Sequence, residues 1–317
     1  VPKLKMNDNV WVSNESGAYF SSIGSMSSSG DQWLSNLDTG FEIFSANDLL
    51  ITGARIHNNR NGALLNEASL RIESSTIDSS REIGLKFLNS SVVMEKVTSK
   101  HNGVAIELGE GSQAKITQCH FTHNVLSLNA EASVSLNLSY SSVRNSRRGI
   151  RLGNYAEASI LSNQFNLIDG YAVELSGPHV QSILMRQNVI SKTGGVLKSL
   201  ATSGDIRLLS NTFANNTSGI IASKRSLHAL NHNIFYHTSV PDHQVVREDH
   251  LFKWNCIYPV TANQQSAPVD SQNIYSDPAF GGNHYLTPSS PCLHGGENGL
   301  LIGARGAPPV ARPSLQP

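Results

Sequence analysis

Gly103-Val-Ala-Ile-Glu-Leu-Gly-Glu-Gly-Ser-Gln-Ala-Lys-Ile-Thr-Gln-Cys-His-Phe121 is the stretch whose reading decides the fold. Its segment Ala114-Lys-Ile-Thr alternates apolar and polar residues, the mark of a strand buried on one face, and is too short for a helix. Phe121 belongs to an apolar column, Ile56, Ile77, Val97, Phe121, Val143, Phe165, Ile190, Phe213, Phe235 and Ile257, whose members recur every 20 to 25 residues. Ile116 belongs to a second column five positions earlier: Ile51, Ile72, Val92, Ile116, Leu138, Ile160, Met185, Leu208, Leu230 and Phe252. Gly103-Val-Ala-Ile opens a further strand, as do Gly149-Ile-Arg-Leu and Gly219-Ile-Ile, with glycine supplying the positive φ of a sharp corner.

A repeat of this length holding several strands and no helix is a solenoid coil. One coil cannot cover its own apolar side chains, so coils stack and pair each strand with its counterpart in the next. The fold expected is all-β: a right-handed parallel β-helix over residues 41–262, about ten coils and roughly 48 Å long at the strand spacing. Open coil ends are aggregation-prone edges. Residues 1–40 are therefore expected to give an N-terminal cap and first coil, and residues 263–317 a C-terminal cap in which Phe280, Tyr285 and Leu286 pack on the last coil.

Composition agrees. Lys plus Arg and Asp plus Glu both number 24 in 317 residues, so no global field favours nucleic acid. No apolar run approaches the roughly 20 residues of a membrane-spanning helix. The three cysteines, Cys119, Cys256 and Cys292, are far apart and odd in number, a count read as excluding a disulfide framework. Cys119 is expected to pack as a small buried hydrophobe. Asn163, Asn188, Asn211, Asn233 and Asn255, each two residues before the first column, predict an amide ladder at one turn. The His228, His232, His237, His243 and His250 cluster lacks metal-ligand spacing, so no metal site is assigned. His228 and His250 are expected to stack inward.

The repeats, together with Asp277-Pro-Ala-Phe280, Tyr285-Leu-Thr-Pro-Ser-Ser-Pro291, Gly295-Gly296 and Ile302-Gly-Ala304, resemble the right-handed parallel β-helix proteins of the pectate-lyase-like superfamily. Leu301 departs from that ending, which commonly carries an acid there. The resemblance implies an extracellular, cell-surface or periplasmic protein, acidic polysaccharides as partners, and calcium as a cofactor in some members. It spans lyases, hydrolases, epimerases, tailspikes and non-catalytic surface proteins, and no catalytic motif of its enzymes is carried over.

Alternation predicts an outward column on the glycine-led strand: Leu64, Lys86, Ala105, Ser127, Arg151, Glu174, Leu197 and Ile221. Arg81, Lys100, His101, His123, Arg147, Arg148 and Asp169 fall at its corner. Arg147, Arg148 and Arg151 are the candidate substrate-binding residues, because guanidinium forks pair with carboxylates or sulfates. For β-elimination, Lys86, His101 and His123 are candidate bases; for hydrolysis, Asp169 and Glu174 are the candidate acids. The leading expectation is a carbohydrate-active β-helix that binds an acidic polysaccharide along the central coils, with cleavage by β-elimination left open. The rival is a non-catalytic adhesin, binding module or spacer, whose charges merely solvate a sheet face. Whether the protein is an enzyme is left open between them.

Overall fold

The computed structural model describes residues 3–223, 225–239, 252–259 and 272–303. Every pairing between its strands is parallel and joins one coil to the next. Each regular coil has three sides. Gln113–Thr117 represents the first face, His120–Thr122 the short second face and Leu126–Ala130 the third. Among the described residues there is no α-helix, only two short 3-10 turns near the C-terminus.

Inward side chains align because like positions are hydrogen-bonded neighbours: Phe121 faces Val143, which faces Phe165, which faces Ile190. One continuous core runs through the coils from Met6 to Ile257, and Phe121, Phe165, Phe213 and Phe235 are fully buried in it. Burying one such ring contributes about 1.5–3 kcal/mol, so the stacked column is the main source of stability.

The short second face is bounded by two tight corners, and each repeats a left-handed residue. Ser79, His101, His123, Asn145, Leu167, Lys192 and Asn215 occupy one, with φ from 49° to 58°. For residues other than glycine this conformation costs about 1–2 kcal/mol. Two side-chain ladders offset that cost by bonding the corner backbone. The asparagine ladder from Asn163 through Asn255 is present, and Asn163 N–H donates to Asn188 Oδ1 at 2.9 Å. A second ladder, not noticed in the sequence, lies at the other corner: Asn36 N–H donates to Asn59 Oδ1 at 2.8 Å, and Asn102 N–H to Asn124 Oδ1 at 2.9 Å.

Several expectations are corrected. Ser99, not Val97, pairs with Ile77 and Phe121, and Met94, not Val92, pairs with Ile72 and Ile116. A two-residue slip keeps the inward parity, so Val97 and Val92 are buried although they stand two residues from the column. Within residues 1–40, where a cap and first coil were expected, Lys3–Asn7 and Val10–Val12 pair with the following coil, and Trp11 stacks on Trp33 at 5.1 Å. His228 points outward and reaches Asp205 at 3.2 Å. A bulge between Ile206 and Arg207 puts Leu227 at the inward position instead. His243 and His250 lie outside the described residues.

The odd cysteine count also misled. Cys256 and Cys292 form a disulfide across a Cα–Cα distance of 6.0 Å, leaving Cys119 as the free, buried thiol. The bridge ties the C-terminal segment to the outward side of the second face. There Leu286, Cys292 and Ile302 form a separate core with Ile234 and Cys256. Phe280 packs edge-on against Tyr236 at 5.3 Å. Residues 272–303 thus cover a flank of the last coils as well as following them.

Candidate carbohydrate-binding face

On the third face the register fixes the outward column as Glu42, Leu64, Lys86, Glu107, Asn129, Arg151, Glu174, Lys198 and Ile221. Ala105, Ser127 and Leu197, expected outward, are buried. Each strand here contains two consecutive buried residues, as Ala105-Ile106 and Val196-Leu197, so outward positions cannot be counted from the leading glycine. Gly84 faces Ala105, not Gly103: a Cβ on Gly84 would collide with the Ala105 carbonyl oxygen.

The predicted residues therefore separate into two groups. Lys86 Nζ pairs with Glu107 Oε1 at 2.6 Å. Three coil steps, roughly 14 Å, divide Lys86 from Arg151, with Glu107 and Asn129 between them. The basic patch is thus interrupted at its N-terminal end.

The second group does converge. Arg147, Arg148 and Arg151 are exposed, and among the described residues none of them pairs with a carboxylate. The Cγ of Arg148 lies beside Gly170 in the next coil. There Tyr171 lays its ring over Gly195, where any Cβ would collide with it. Glycine at 195 is what lets the ring lie against the sheet. Lys198 places Nζ 5.9 Å from the ring centroid, and Glu174 sits between Arg151 and Lys198 in the register. Three guanidinium groups, an ammonium and an aromatic platform thus occupy neighbouring coils. Tyr171 and Lys198 were missed in the sequence. The pair Gly170-Tyr171 followed one coil later by Gly194-Gly195 is the signal that could have found the platform.

The other candidates lie around this patch. Asp169 and Glu174 are on one strand, Gln164–Leu175, but Asp169 falls in the irregularity between Ile168 and Tyr171, whereas Glu174 stands in the regular outward column beside Arg151 and Lys198. His101 and His123 stack at 5.2 Å on the preceding corner. His101 Nδ1 lies 3.2 Å from Asp78 Oδ1, which also accepts from Ser79 Oγ at 2.8 Å. His57 and Lys100 approach the other Asp78 oxygen at 3.4 Å and 3.6 Å. Burial pushes the Asp78 carboxyl up, but Ser79, His101, Lys100 and His57 together outweigh it, so it titrates below its ordinary value. The histidines are engaged with Asp78 and each other at the corner. Among the described residues no group of three His, Cys, Asp or Glu side chains is arranged to hold a metal ion, and no chemistry is routed through calcium.

Parallel three-sided coils with internal amide ladders define a β-solenoid. Sequence comparison then identifies its kind: the family described as a right handed beta helix region matches residues 4–137. The match covers the N-terminal part of the chain, and the fold of the described residues is a right-handed β-helix whose paired coils continue beyond it to Ile257. Among curated proteins and solved structures no significant match was found.

Proposed function

We propose that this protein is a carbohydrate-binding β-helix that holds an acidic polysaccharide across the third face, without cleaving it. The observation that carries this reading is the patch in which Arg147, Arg148 and Arg151, free of carboxylate partners among the described residues, border the Tyr171 ring on Gly195. Guanidinium forks match carboxylate or sulfate groups, and a ring lying flat on a sheet offers an apolar face to a sugar. Binding is favoured over β-elimination because Lys86 is already paired with Glu107 and stands three coils from Arg151. The disulfide between Cys256 and Cys292 supports an oxidising setting such as the cell exterior or the periplasm.

The test is binding of uronate and sulfated polymers, with a neutral glucan as control, to wild type, to Arg148→Ala/Arg151→Ala and to Tyr171→Ala. Binding of the acidic polymers should weaken about tenfold or more in both variants and fall steeply between 0.1 and 1 M salt, as the Debye length shrinks from about 10 to 3 Å. Equal affinity of wild type and variants would reject the patch. Unsaturated products absorbing in the ultraviolet would restore the lyase reading.

The spacer reading has its own support in the alternating charges of the column from Lys86 to Lys198, which solvate a sheet face without needing a ligand. Absence of binding to every polymer in the panel would favour it.

A further inference from the structure

Around the corner from this patch, the second face carries a hollow of another composition. It lies between the strands and the C-terminal segment, and has a volume of about 570 Å³. Arg144, Gln164, Asn166 and Lys192 line it from the coils, and Asn283 and His284 from the segment anchored by the Cys256–Cys292 bridge. A smaller hollow of about 190 Å³ shares Arg144 and Gln164 and extends to the exposed ring of Tyr140 and to His120. Among the described residues no carboxylate lines either hollow, on a chain whose formal charge is zero.

The polar groups are held in place. Arg144 Nη2 donates to Gln164 Oε1 at 2.7 Å, which positions the guanidinium and leaves its other N–H groups to donate. Asn166 Nδ2 donates to Ser191 Oγ at 2.8 Å, which leaves its Oδ1 to accept. Gln164 retains its amide N–H₂. The lining thus provides two permanent cations for an anion and amides of both polarities for hydroxyl groups. The size is within the about 300–1,000 Å³ of small-molecule sites.

We propose that this cleft is a ligand site for a phosphorylated sugar of one or two rings. A phosphomonoester carries about −1.5 to −2 charge at neutral pH, which matches Arg144 and Lys192 together, whereas a uronate or sulfate ester brings a single charge. The ring hydroxyls meet Gln164 and Asn166, and Tyr140 borders the outer end. The site is separate in residues and ligand from the Arg148–Tyr171 patch and does not depend on polysaccharide binding there.

Calorimetric titration of the intact chain with glucose 6-phosphate, inorganic phosphate, glucose 6-sulfate, glucuronate and glucose tests it. Glucose 6-phosphate should bind most tightly, and Arg144→Ala/Lys192→Ala should weaken it at least about tenfold. Arg148→Ala/Arg151→Ala should bind it like wild type. Lys192→Glu, a single change at an exposed corner, is the second variant and should also weaken binding, with an unchanged unfolding midpoint showing that the fold is kept. The proposal is overturned if glucose or glucuronate binds as tightly as glucose 6-phosphate, if inorganic phosphate alone matches it, if the Arg144 and Lys192 variants bind normally, or if nothing binds in the millimolar range.

Discussion

Asn188 donates both its backbone N–H and its side-chain Nδ2 to one acceptor, Asn211 Oδ1, each at 3.0 Å. Asn211 repeats the arrangement toward Asn233, at 2.9 Å and 3.1 Å, and its Nδ2 also donates to the Met185 carbonyl at 2.9 Å. Every member is fully buried, so each amide is both the acceptor for one neighbour and a donor to the next.

Replacing Asn211 by alanine should therefore cost more than one hydrogen bond. The variant removes the acceptor of the Asn188 backbone N–H and of one Asn188 Nδ2 bond, together with the side-chain donor to the Met185 carbonyl and to Asn233 Oδ1. A buried unpaired group costs about 1–3 kcal/mol, so a loss of about 3 kcal/mol or more is expected in urea unfolding. A loss below about 1 kcal/mol would mean that the ladder is relieved by water and is not what holds the corner.

Asp78 should make stability depend on pH in one direction. Its carboxyl titrates below the ordinary value of 3.8 in the folded chain. A group depressed on folding contributes stability that is fully present above the unfolded value and is lost as pH falls through the folded one. Asp78→Asn should thus be less stable than wild type at neutral pH, by about 1 kcal/mol. The difference should shrink below about pH 4 and vanish in stronger acid. Unfolding midpoints measured from pH 7 to pH 2 would reveal it, and a constant offset would contradict the assignment.

The thiols should react in a fixed order. Burial pushes the Cys119 thiol up to about 11, so its thiolate fraction at pH 8 is on the order of one in a thousand. Titration with a thiol reagent should find no reactive group in the native chain, one after denaturation, and three once the bridge is reduced. Reduction should also release the C-terminal segment first. The bridge spans a sequence separation of 36 residues and contributes about 3–4 kcal/mol, so residues 272–303 should become the earliest site of proteolysis. A native chain with two or more reactive thiols would rule the pairing out.

The sequence by itself determined the period, the inward parity of the first two faces and the asparagine ladder, because each depends on what a single coil repeats: Phe213 and Phe235 mark the core, and Asn211 and Asn233 the corner. It could not determine which residues stand side by side on the surface. A two-residue slip keeps the inward side, and Val97 and Ser99 are both buried, so the apolar Val97 was read into a column position that the polar Ser99 holds. Only pairing with both neighbouring coils chose Ser99, and on the third face put Glu107, not Ala105, beside Lys86. The Tyr171 ring over Gly195, the cleft beside Arg144 and the Cys256–Cys292 bridge are likewise contacts between residues distant in the chain. Local alternation carries no information about such contacts, because where it holds it fixes which side of the sheet a residue occupies and not which neighbour it meets there, and on the third face consecutive buried residues break it.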